Sequence, residues 1–250
     1  MKILIIFICI LISIILWKEY IKREIYKNEP YIIVRTKYGL NNRLQVLLSY
    51  LYKANQENKK LKVVWVKDSA CPEIFENIFK PIANVEFVYT DEIKEYDYNT
   101  CYSYNNNYVN DGYYTYLQPI NSIQDEINQL KLQLKNNYIA CHLRRTDGWN
   151  HKSYIKDRHE DEEYMEFIDQ YPNELNIYIA TDCRKTQQKF IEKYVDRLIY
   201  KKIEDNNDRR QTSLQDAVKD MYVCAGATYF MRSPGTFSNT IMHLRDLNHK

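Results

Sequence analysis

Two adjacent arginines, Arg144 and Arg145, follow the apolar run YIAC at 138–141, which is typical of a buried β-strand. Adjacent side chains of a strand point to opposite faces, so both arginines can serve one anion only if the strand ends there. A guanidinium stays charged and grips phosphate oxygens bidentately. We therefore predict that Arg144 holds a phosphate while Arg145 braces the loop, with Asp147 or Asp182 as its partner. A surface cluster of ion pairs is the alternative.

A second polar segment, the turn RSPGTFS at 232–238, fits the same chemistry. Gly235 lets the backbone approach a ligand closely, and Thr236 and Ser238 offer hydroxyl groups. A helix that begins after this turn would present free amide groups and its positive end to an anion. A diphosphate carries enough charge to use both this helix end and Arg144. Turns of this composition also cap helices without any ligand, and that alternative stays open.

Asp220, in the helical segment LQDAVKDMYVCAG, is the third candidate. A carboxylate on a partly apolar helix is usually solvated, and this is the simpler interpretation. Alternatively, its two oxygens accept hydrogen bonds from the adjacent N–H and NH₂ groups of a guanine edge. In that case the site would select GDP over UDP.

The overall composition is that of a globular protein. Apolar residues make up 45% of the 250 residues, charged residues make up 27%, and the net charge is +2. Basic and acidic residues are interleaved without the basic stripe of a general nucleic-acid binder, so no nucleic-acid partner is expected. Apart from Cys9 in the apolar N-terminal run, the cysteines form no CxxC pair, and we expect neither a disulfide framework nor a zinc site. Cys141 and Cys224 are expected to be buried thiols.

The uncharged run ILIIFICILISIILW at 3–17, flanked by Lys2 and Lys18, predicts a single N-terminal membrane anchor. The run is short for a span, but snorkelling lysines and Trp17 at the interface could extend it. A buried core helix is the alternative. Positive charges are denser after the run than before it, which favours a cytosolic body by the positive-inside rule.

Hydrophobic periodicity predicts an α/β body. YIIVRT (31–36) and LKVVWV (61–66) are predicted strands. Gly39 ends the first strand, and a leucine-rich face marks a helix that follows it and lasts to about Asn58. This βαβ opening predicts a parallel sheet with right-handed crossovers. The Tyr/Asn-rich segment 91–118 is predicted to be an irregular connection, in which YYTYL is the candidate strand.

The remaining predicted elements are less clear in the middle of the chain and alternate regularly in its second half. The predicted strands are 85–89, 138–143, 176–182, 197–200 and 227–231, and the predicted helices are 73–79, one from about Ser122, 161–168, 186–195, 213–225 and one after the turn at 232–238. Polar residues cluster after three strands, at 142–147, 181–182 and 233–238. Ligands of open parallel sheets bind at the carboxyl ends of the strands, so these segments are expected to form one site.

Several segments resemble, in order, the motifs of the α1,6-fucosyltransferases and, more loosely, those of the nodulation and protein O-fucosyltransferases. They are HLRRTD (142–147), EEYM (162–165), YIATD (178–182) and TSLQDAVKDMYVCAGATYFMRSPGTFS (212–238). The opening YGLNNRLQVLLSYLYKAN (38–55) is similar to the first glycine/asparagine turn and helix of that superfamily. The resemblance covers about 31–245.

The resemblance implies a GT-B-like architecture of two Rossmann-like halves with parallel sheets, in addition to the N-terminal membrane anchor helix. The expected boundaries are 1–19 for the anchor, 20–29 for a short stem, 30–120 for the acceptor-side half and 121–250 for the half that binds the nucleotide sugar. It also implies inverting transfer of fucose from GDP-fucose to an unidentified glycan or protein acceptor, with no metal or other cofactor. Such enzymes usually face a lumen, so lumenal (Golgi- or ER-like) and cytosolic orientations both stay open.

The resemblance also implies the residues that bind the nucleotide sugar. His142 and Asp220 would hold the guanosine, Arg144 the β-phosphate, and Thr236, Phe237 and Ser238 the pyrophosphate. The residues implied to line, brace or support the site are Asn41, Arg43, Arg145 and Asp182.

Two departures from the family pattern concern the acidic groups. Cys183 stands where the family has a second acidic residue, and Lys152 falls at the position of the family's catalytic base in an ungapped comparison. Inverting transfer needs a carboxylate near the acceptor hydroxyl, and the candidates are, in order, Asp147, Asp157 and Glu160. There are two alternatives. The protein could transfer another GDP-sugar, or it could be a degenerate relative that binds a nucleotide or glycan without catalysis.

Overall fold

The computed structural model describes residues 30–93, 95–146, 158–203 and 212–248, together with Ser13, Ile14 and Trp17. Most of the predicted anchor and all of the predicted stem therefore lie outside the described residues. Among the described residues, no helix combines the length and the apolar character needed to cross a membrane.

The first half is built on a parallel sheet of order β3-β2-β1-β4. Its strands are β1 (Tyr31–Thr36), β2 (Lys60–Val64), β3 (Val85–Val88) and β4 (Tyr98–Thr100). Helix α1 (Leu40–Gln56) connects β1 to β2 and buries the leucine-rich face that the periodicity indicated. The predicted βαβ opening is confirmed.

The Tyr/Asn-rich segment differs from its prediction. β4 and the short helix α2 (Asn107–Asn110) lie within it, and YYTYL contains a 3₁₀ helix (Tyr113–Tyr116) instead of a strand. Gly112 starts this helix in the left-handed region, with φ 74°. The Tyr114 ring is buried and lies 4.8 Å from the His243 ring, so a contact distant in sequence decides the conformation of this stretch.

The second half repeats the arrangement with a parallel sheet of order β7-β6-β5-β8. Its strands are β5 (Tyr138–Leu143), β6 (Asn176–Thr181), β7 (Leu198–Ile199) and β8 (Tyr229–Met231). Every residue of β5 is buried, as expected for a central strand covered on both faces. The fold expectation of two α/β halves with parallel sheets is confirmed.

Five helices described in this half accompany the sheet. They are α3 (Asn121–Leu134), α4 (Asp161–Asp169), α5 (Arg184–Tyr194), α6 (Leu214–Ala225) and α7 (Thr236–Asn248). Ser213 caps α6, because its hydroxyl accepts the amide of Asp216 at 3.0 Å. The predicted cap at Ser122 is wrong: α3 begins one residue earlier, and Ile120 at its N-cap position makes no side-chain cap.

One hydrophobic core extends across both halves. Buried leucines of α1 belong to the same cluster as buried residues of α3, α6 and α7, whereas β5, β6, α4 and α5 enclose a second cluster. α7 also packs against α1 and the 3₁₀ helix at Tyr113–Tyr116 of the first half. α7 therefore packs against helices of both halves.

Candidate active site

A cleft of about 340 Å³ lies between the two halves, at the carboxyl ends of β1, β5 and β6. In the second sheet this is the point where the strand order reverses, between β5 and β8, and ligands of open α/β sheets bind at such points. The residues of its wall are Tyr38, Gly39, Leu40, Asn41, Asn42, His142, Arg144, Ala180, Thr181, Asp182, Thr212, Leu214, Ala217, Asp220, Thr236 and Phe237.

His142, the penultimate residue of β5, is held as a neutral ring in the cleft wall. Its Nδ1 lies 2.7 Å from Oγ of Ser238 and 2.9 Å from Oγ of Ser233, and its ring stacks on Phe237 with 4.6 Å between centroids. Burial, and then the charges of the two arginines that follow, lower the pKa of His142 to about 3. The ring can exchange a hydrogen bond with a bound nucleoside but adds no charge.

The two arginines after β5 take different positions. Arg144 lies in the cleft wall, whereas Arg145 donates from Nε and Nη2 to Oδ1 of Asp161, at 3.0 and 2.8 Å. The other oxygen of Asp161 accepts Nζ of Lys189 at 2.7 Å, and the Arg145 guanidinium lies 5.5 Å from the Tyr164 ring centroid. Asp161, which the sequence prediction did not name, is therefore a partner of the bracing arginine.

Asp182, directly after β6, closes the turn that carries Arg144. Its Oδ1 accepts the amide of Arg145 at 2.7 Å, and its Oδ2 accepts the amide and the hydroxyl of Thr146 at 3.2 and 2.5 Å. The carboxylate thus supports the loop through its backbone, while the side chain of Arg145 is held from α4.

The start of α7 faces the cleft with Thr236 and Phe237. Gly235 before it has a φ of 116°, a conformation that strains any other residue. The first-turn amides of a helix have no intrahelical acceptors, and no acidic residue lies in this turn to compete with an anion. Ser238 is fully buried against His142, so its role in the cleft is to hold that ring.

Asp220 faces the cleft from α6. Its Oδ1 accepts a hydrogen bond from the hydroxyl of Tyr178 at 2.6 Å. Burial raises the pKa of Asp220 to about 7, against the Tyr178 hydrogen bond, which lowers it. The surroundings are those of an enclosed carboxylate and not those of a solvated helix face.

Asn41, in the first turn of α1, faces the second half across the cleft. Only 6% of the residue is exposed, and its Oδ1 has no hydrogen-bond partner among the described residues. A buried acceptor without a donor is costly, and a donor on a ligand in the cleft would satisfy it.

Arg43 is not part of the cleft wall. Its guanidinium is 1% exposed and donates to the carbonyl oxygens of Tyr38 and Val66, both at 2.7 Å, and to Oδ2 of Asp68 at 2.6 Å. These bonds hold the turn that carries Asn41 from behind, because they join the residues after β1 to those after β2. A direct contact of Arg43 with a nucleotide sugar stays a prediction.

Of the three candidate bases, Glu160 lies among the described residues. Asp147 and Asp157 lie outside the described residues. Glu160 is the N-cap residue of α4 and forms a capping box with Glu163, whose Oε2 accepts the Glu160 amide at 2.7 Å. Glu160 also pairs with Arg158 at 3.1 Å and is outside the cleft wall, and its catalytic role stays a prediction.

Sequence reasoning missed Tyr178 and Asp161 as parts of the site. Tyr178 occurs in an apolar strand, where a tyrosine is usually part of the core. Asp161 did carry a signal, because with Tyr164 and Ile168 it occupies the buried face of α4 at helical spacing. A carboxylate on a buried face normally needs a charged partner.

The described part of the chain shows no cluster of metal ligands, and two of its thiols are deeply buried. There, no group of three or more histidine, cysteine or acidic side chains is placed to hold a metal ion. Cys141 and Cys224 are buried as expected, and burial raises the pKa of both thiols.

Comparison with known proteins decides the family. The profile of the GDP-fucose protein O-fucosyltransferase family matches residues 21–248. The chain belongs to this family. As a member of this family, the protein is a glycosyltransferase of the fucosyltransferase type that depends on a GDP-sugar. No curated protein sequence matches the chain.

Solved fucosyltransferases share the fold of this O-fucosyltransferase family protein. It is similar to NodZ α-1,6-fucosyltransferase soaked with GDP-fucose, with a TM-score of 0.61 and 14% identity over 86% of this chain and 92% of that one. Fucosyltransferase NodZ from Bradyrhizobium gives a TM-score of 0.60 at 14% identity, over 85% of this chain and 92% of that one. POFUT1 in complex with GDP-fucose gives a TM-score of 0.60 at 11% identity, over 87% of this chain and 95% of that one. The two-sheet, GT-B-like architecture is common to them.

Proposed function

We propose that this protein transfers fucose from GDP-fucose to a hydroxyl group of a glycan or protein, with inversion at the anomeric carbon. The observation that carries the proposal is the convergence in one cleft of Arg144, the start of α7 and Asp220. NodZ and POFUT1, which have the same fold, have been crystallised with GDP-fucose, and this supports the choice of donor.

The diphosphate end of the donor is assigned to Arg144 and α7. Breaking the bond between sugar and diphosphate leaves negative charge on the β-phosphate oxygens. A guanidinium and the free amides of Thr236 and Phe237 are groups that stabilise such charge, because they are already oriented in the folded protein. They can hold the departing GDP in place while the acceptor attacks from the opposite side.

The guanine end is assigned to Asp220 and His142. An ionised carboxylate accepts two hydrogen bonds from the N1–H and 2-amino groups of guanine, and uracil does not offer that pair of donors. The neutral His142 can hydrogen-bond the nucleoside between this end and Arg144 without attracting a second anion.

Inversion requires a base that takes the proton of the acceptor hydroxyl. Among the three candidates we favour Asp147, because it follows directly the loop residues that Asp182 anchors beside Arg144. Asp157 and Glu160 come next. Replacing the base by its amide should abolish transfer and leave GDP-fucose binding unchanged, whereas replacing either of the others should leave transfer intact.

The deciding experiment measures the thermal midpoint of the full chain with GDP, GDP-fucose, GDP-mannose and UDP. A ligand at 100 times its dissociation constant stabilises by about 2.7 kcal/mol, which raises the midpoint by roughly 5–10 °C for a body of this size. We expect this shift with GDP and GDP-fucose and not with UDP. An equal shift with UDP would overturn the guanosine site, and turnover of another GDP-sugar would replace fucose in the proposal.

Arg144→Ala tests the phosphate site directly. We expect loss of transfer and of the GDP-induced shift, with the fold retained. Arg197→Ala is the control, because Arg197 precedes β7 at the opposite end of the sheet, where its side chain bonds the loop before β6. Retained transfer by Arg144→Ala would refute the assignment.

We further propose that the apolar run at 3–17 anchors the protein in a membrane. The support is the sequence itself, an uncharged run bounded by lysines. Alkaline extraction of membranes that contain the full chain should leave it in the membrane fraction, and release into the supernatant would contradict an integral anchor. Protease protection of the same membranes would decide between a lumenal and a cytosolic body.

A further inference from the structure

Tyr178 is a buried residue of β6 whose hydroxyl reaches Asp220, a residue of the wall of the nucleotide cleft. The residue is 2% exposed, and its hydroxyl donates to Oδ1 of Asp220 at 2.6 Å. Within the described part of the chain, this is the one hydrogen bond made to the Asp220 carboxylate. A strand residue in the sheet therefore determines how a helix residue presents its acceptors to the cleft.

We propose that Tyr178 is a positioning residue that sets nucleobase specificity, by holding the Asp220 carboxylate in the orientation that accepts both donors of a guanine edge. The inference rests on the proposed use of GDP-fucose and extends it from the residue that touches the base to the residue that orients it. A carboxylate rotates broadly about its terminal bond, and guanine needs both of its oxygens in one plane. A fixed donor on one oxygen restricts that rotation before the ligand arrives.

Asp216, one turn earlier on α6, is paired with charged lysines, whereas Asp220 accepts a hydrogen bond from the neutral hydroxyl of Tyr178. Asp216 is paired with Lys201 at 2.5 Å and with Lys219 at 2.7 Å, and Lys219 also reaches Glu126 at 2.5 Å. These are the charged groups that approach α6 at this point from the segment after β7 and from α3. The lysines are thus engaged with other carboxylates, and the charge of Asp220 is left for a ligand.

The Tyr178 hydroxyl also favours the ionised form of Asp220. Burial raises the pKa of this carboxyl to about 7, and the tyrosine hydrogen bond acts in the opposite direction. A protonated carboxyl would present a donor where guanine presents donors of its own. Tyr178 therefore contributes both to the orientation and to the charge state that guanine requires.

Tyr138 provides a matched control for the experiment. It is buried to the same degree on the adjacent strand β5, and its hydroxyl donates to the carbonyl oxygen of Val223 on the same helix, at 2.7 Å. Tyr138→Phe and Tyr178→Phe each remove one buried hydroxyl between the sheet and α6. Only the second removes a partner of Asp220.

The test measures the dissociation constants of GDP and IDP for the full chain and for the two variants by titration calorimetry at pH 7.5. Hypoxanthine lacks the 2-amino group, so the wild-type protein should prefer GDP by roughly tenfold. In Tyr178→Phe we expect GDP to bind roughly tenfold more weakly than to the wild-type protein, and the ratio of the IDP and GDP dissociation constants to approach one. Tyr138→Phe should keep the wild-type preference. A ratio of two ligands for one protein does not depend on the fraction that is folded.

A Tyr178→Phe variant with the wild-type GDP/IDP ratio would overturn the inference, as would an equal loss in Tyr138→Phe. A wild-type chain that binds neither nucleotide would overturn the proposed function itself, so the two failures are distinguishable.

The pH dependence of GDP affinity adds a readout that a merely structural role of Tyr178 would not change. The pH at which affinity rises should move upward in Tyr178→Phe and stay in place in Tyr138→Phe. Titration of the diphosphate is common to all three proteins and cancels in the comparison. Coincident profiles of the two variants would count against Tyr178.

Discussion

His142 and Asp220 are two titratable residues in one cleft wall, and both are driven towards their neutral forms. Burial lowers the pKa of His142 to about 3 and raises that of Asp220 to about 7. The cause is the same in both, because an enclosed site disfavours charge of either sign. Among the described residues of the cleft wall, the positive charge therefore comes from Arg144, and Asp220 adds a negative charge near and above neutral pH.

Asp220→Asn should change the nucleobase that the site accepts. Xanthine keeps N1–H and has a carbonyl in place of the 2-amino group of guanine, so an amide, with one acceptor and one donor, complements it. We expect GDP binding to fall roughly 10- to 100-fold and XDP to become the preferred ligand. Competition of XDP and GDP for the variant measures this.

Asp216→Asn is the matched control, since it removes the same charge one turn earlier on the same helix. It should keep the preference for GDP although it loses ion pairs. Undiminished GDP binding by Asp220→Asn would show that the carboxylate does not contact the base.

The raised pKa of Asp220 also predicts a pH-dependent stability of the ligand-free protein. An unfolded aspartate titrates near its ordinary value of 3.8 and the folded one near 7, so between these values the folded state binds more protons. The resulting destabilisation grows as the pH rises through this range and is complete above pH 7. Relative to wild type, Asp220→Asn should therefore gain thermal stability from pH 5 to pH 8. A pH-independent difference between the two midpoints would contradict the assignment.

At the scale of elements, α4 and α5 together hold the loop that follows β5. Asp161 of α4 accepts the guanidinium of Arg145 and the ammonium of Lys189, and both partners of the arginine pair have side chains less than 10% exposed. These ion pairs lower the pKa of Asp161, although burial acts against them. The loop that carries Arg144 is thus held from one side by α4 and from the other by Asp182.

Asp161→Ala should destabilise the protein by roughly 3 kcal/mol, because it removes the buried ion pair between Asp161 and Arg145. We also expect KM for the donor to rise more than kcat falls, since Arg144 directly precedes Arg145 in the loosened loop. Urea unfolding and steady-state kinetics measure the two effects. Glu162→Ala, on the exposed side of the same helix, is the control and should cost less than about 1 kcal/mol. Equal effects of the two substitutions would argue against a positioning role of α4.

At the scale of the whole molecule, the shared core joins two sheets that are separate in sequence. α3, α6 and α7 of the second half contribute to the same buried cluster as α1, and α7 contacts the 3₁₀ helix of the first half. The cleft walls therefore belong to one packed body, with Asn41 on one side and Asp220 on the other.

This continuity predicts a single cooperative thermal transition of the described body. The cleft proposed to bind GDP is lined by residues of both halves, Asn41 of the first among them, so saturating GDP should move the entire transition and not a part of it. Differential scanning calorimetry of the full chain, with and without GDP, checks this. Two transitions, of which one shifts, would show that the halves unfold independently.

The sequence by itself determined the elements whose patterns are local. Runs of apolar residues located β1, β5 and β6, the Ser213 cap located the start of α6, and the rule for parallel sheets brought the polar ends of the strands to one edge. Arg144, Asp220 and the turn before α7 were found in this way, because their chemistry follows from residue type and from the end of the strand or helix that carries them.

Only the tertiary structure decided which side chains meet within that edge. The Tyr178–Asp220 bond joins residues 42 apart in the chain, and the His142–Ser238 contact joins residues 96 apart. It also decided that YYTYL forms a 3₁₀ helix and that Arg43 lies behind the cleft. Tyrosine and arginine can bury their stems in many directions and place a polar end wherever an acceptor lies, so their partners follow from packing and not from periodicity.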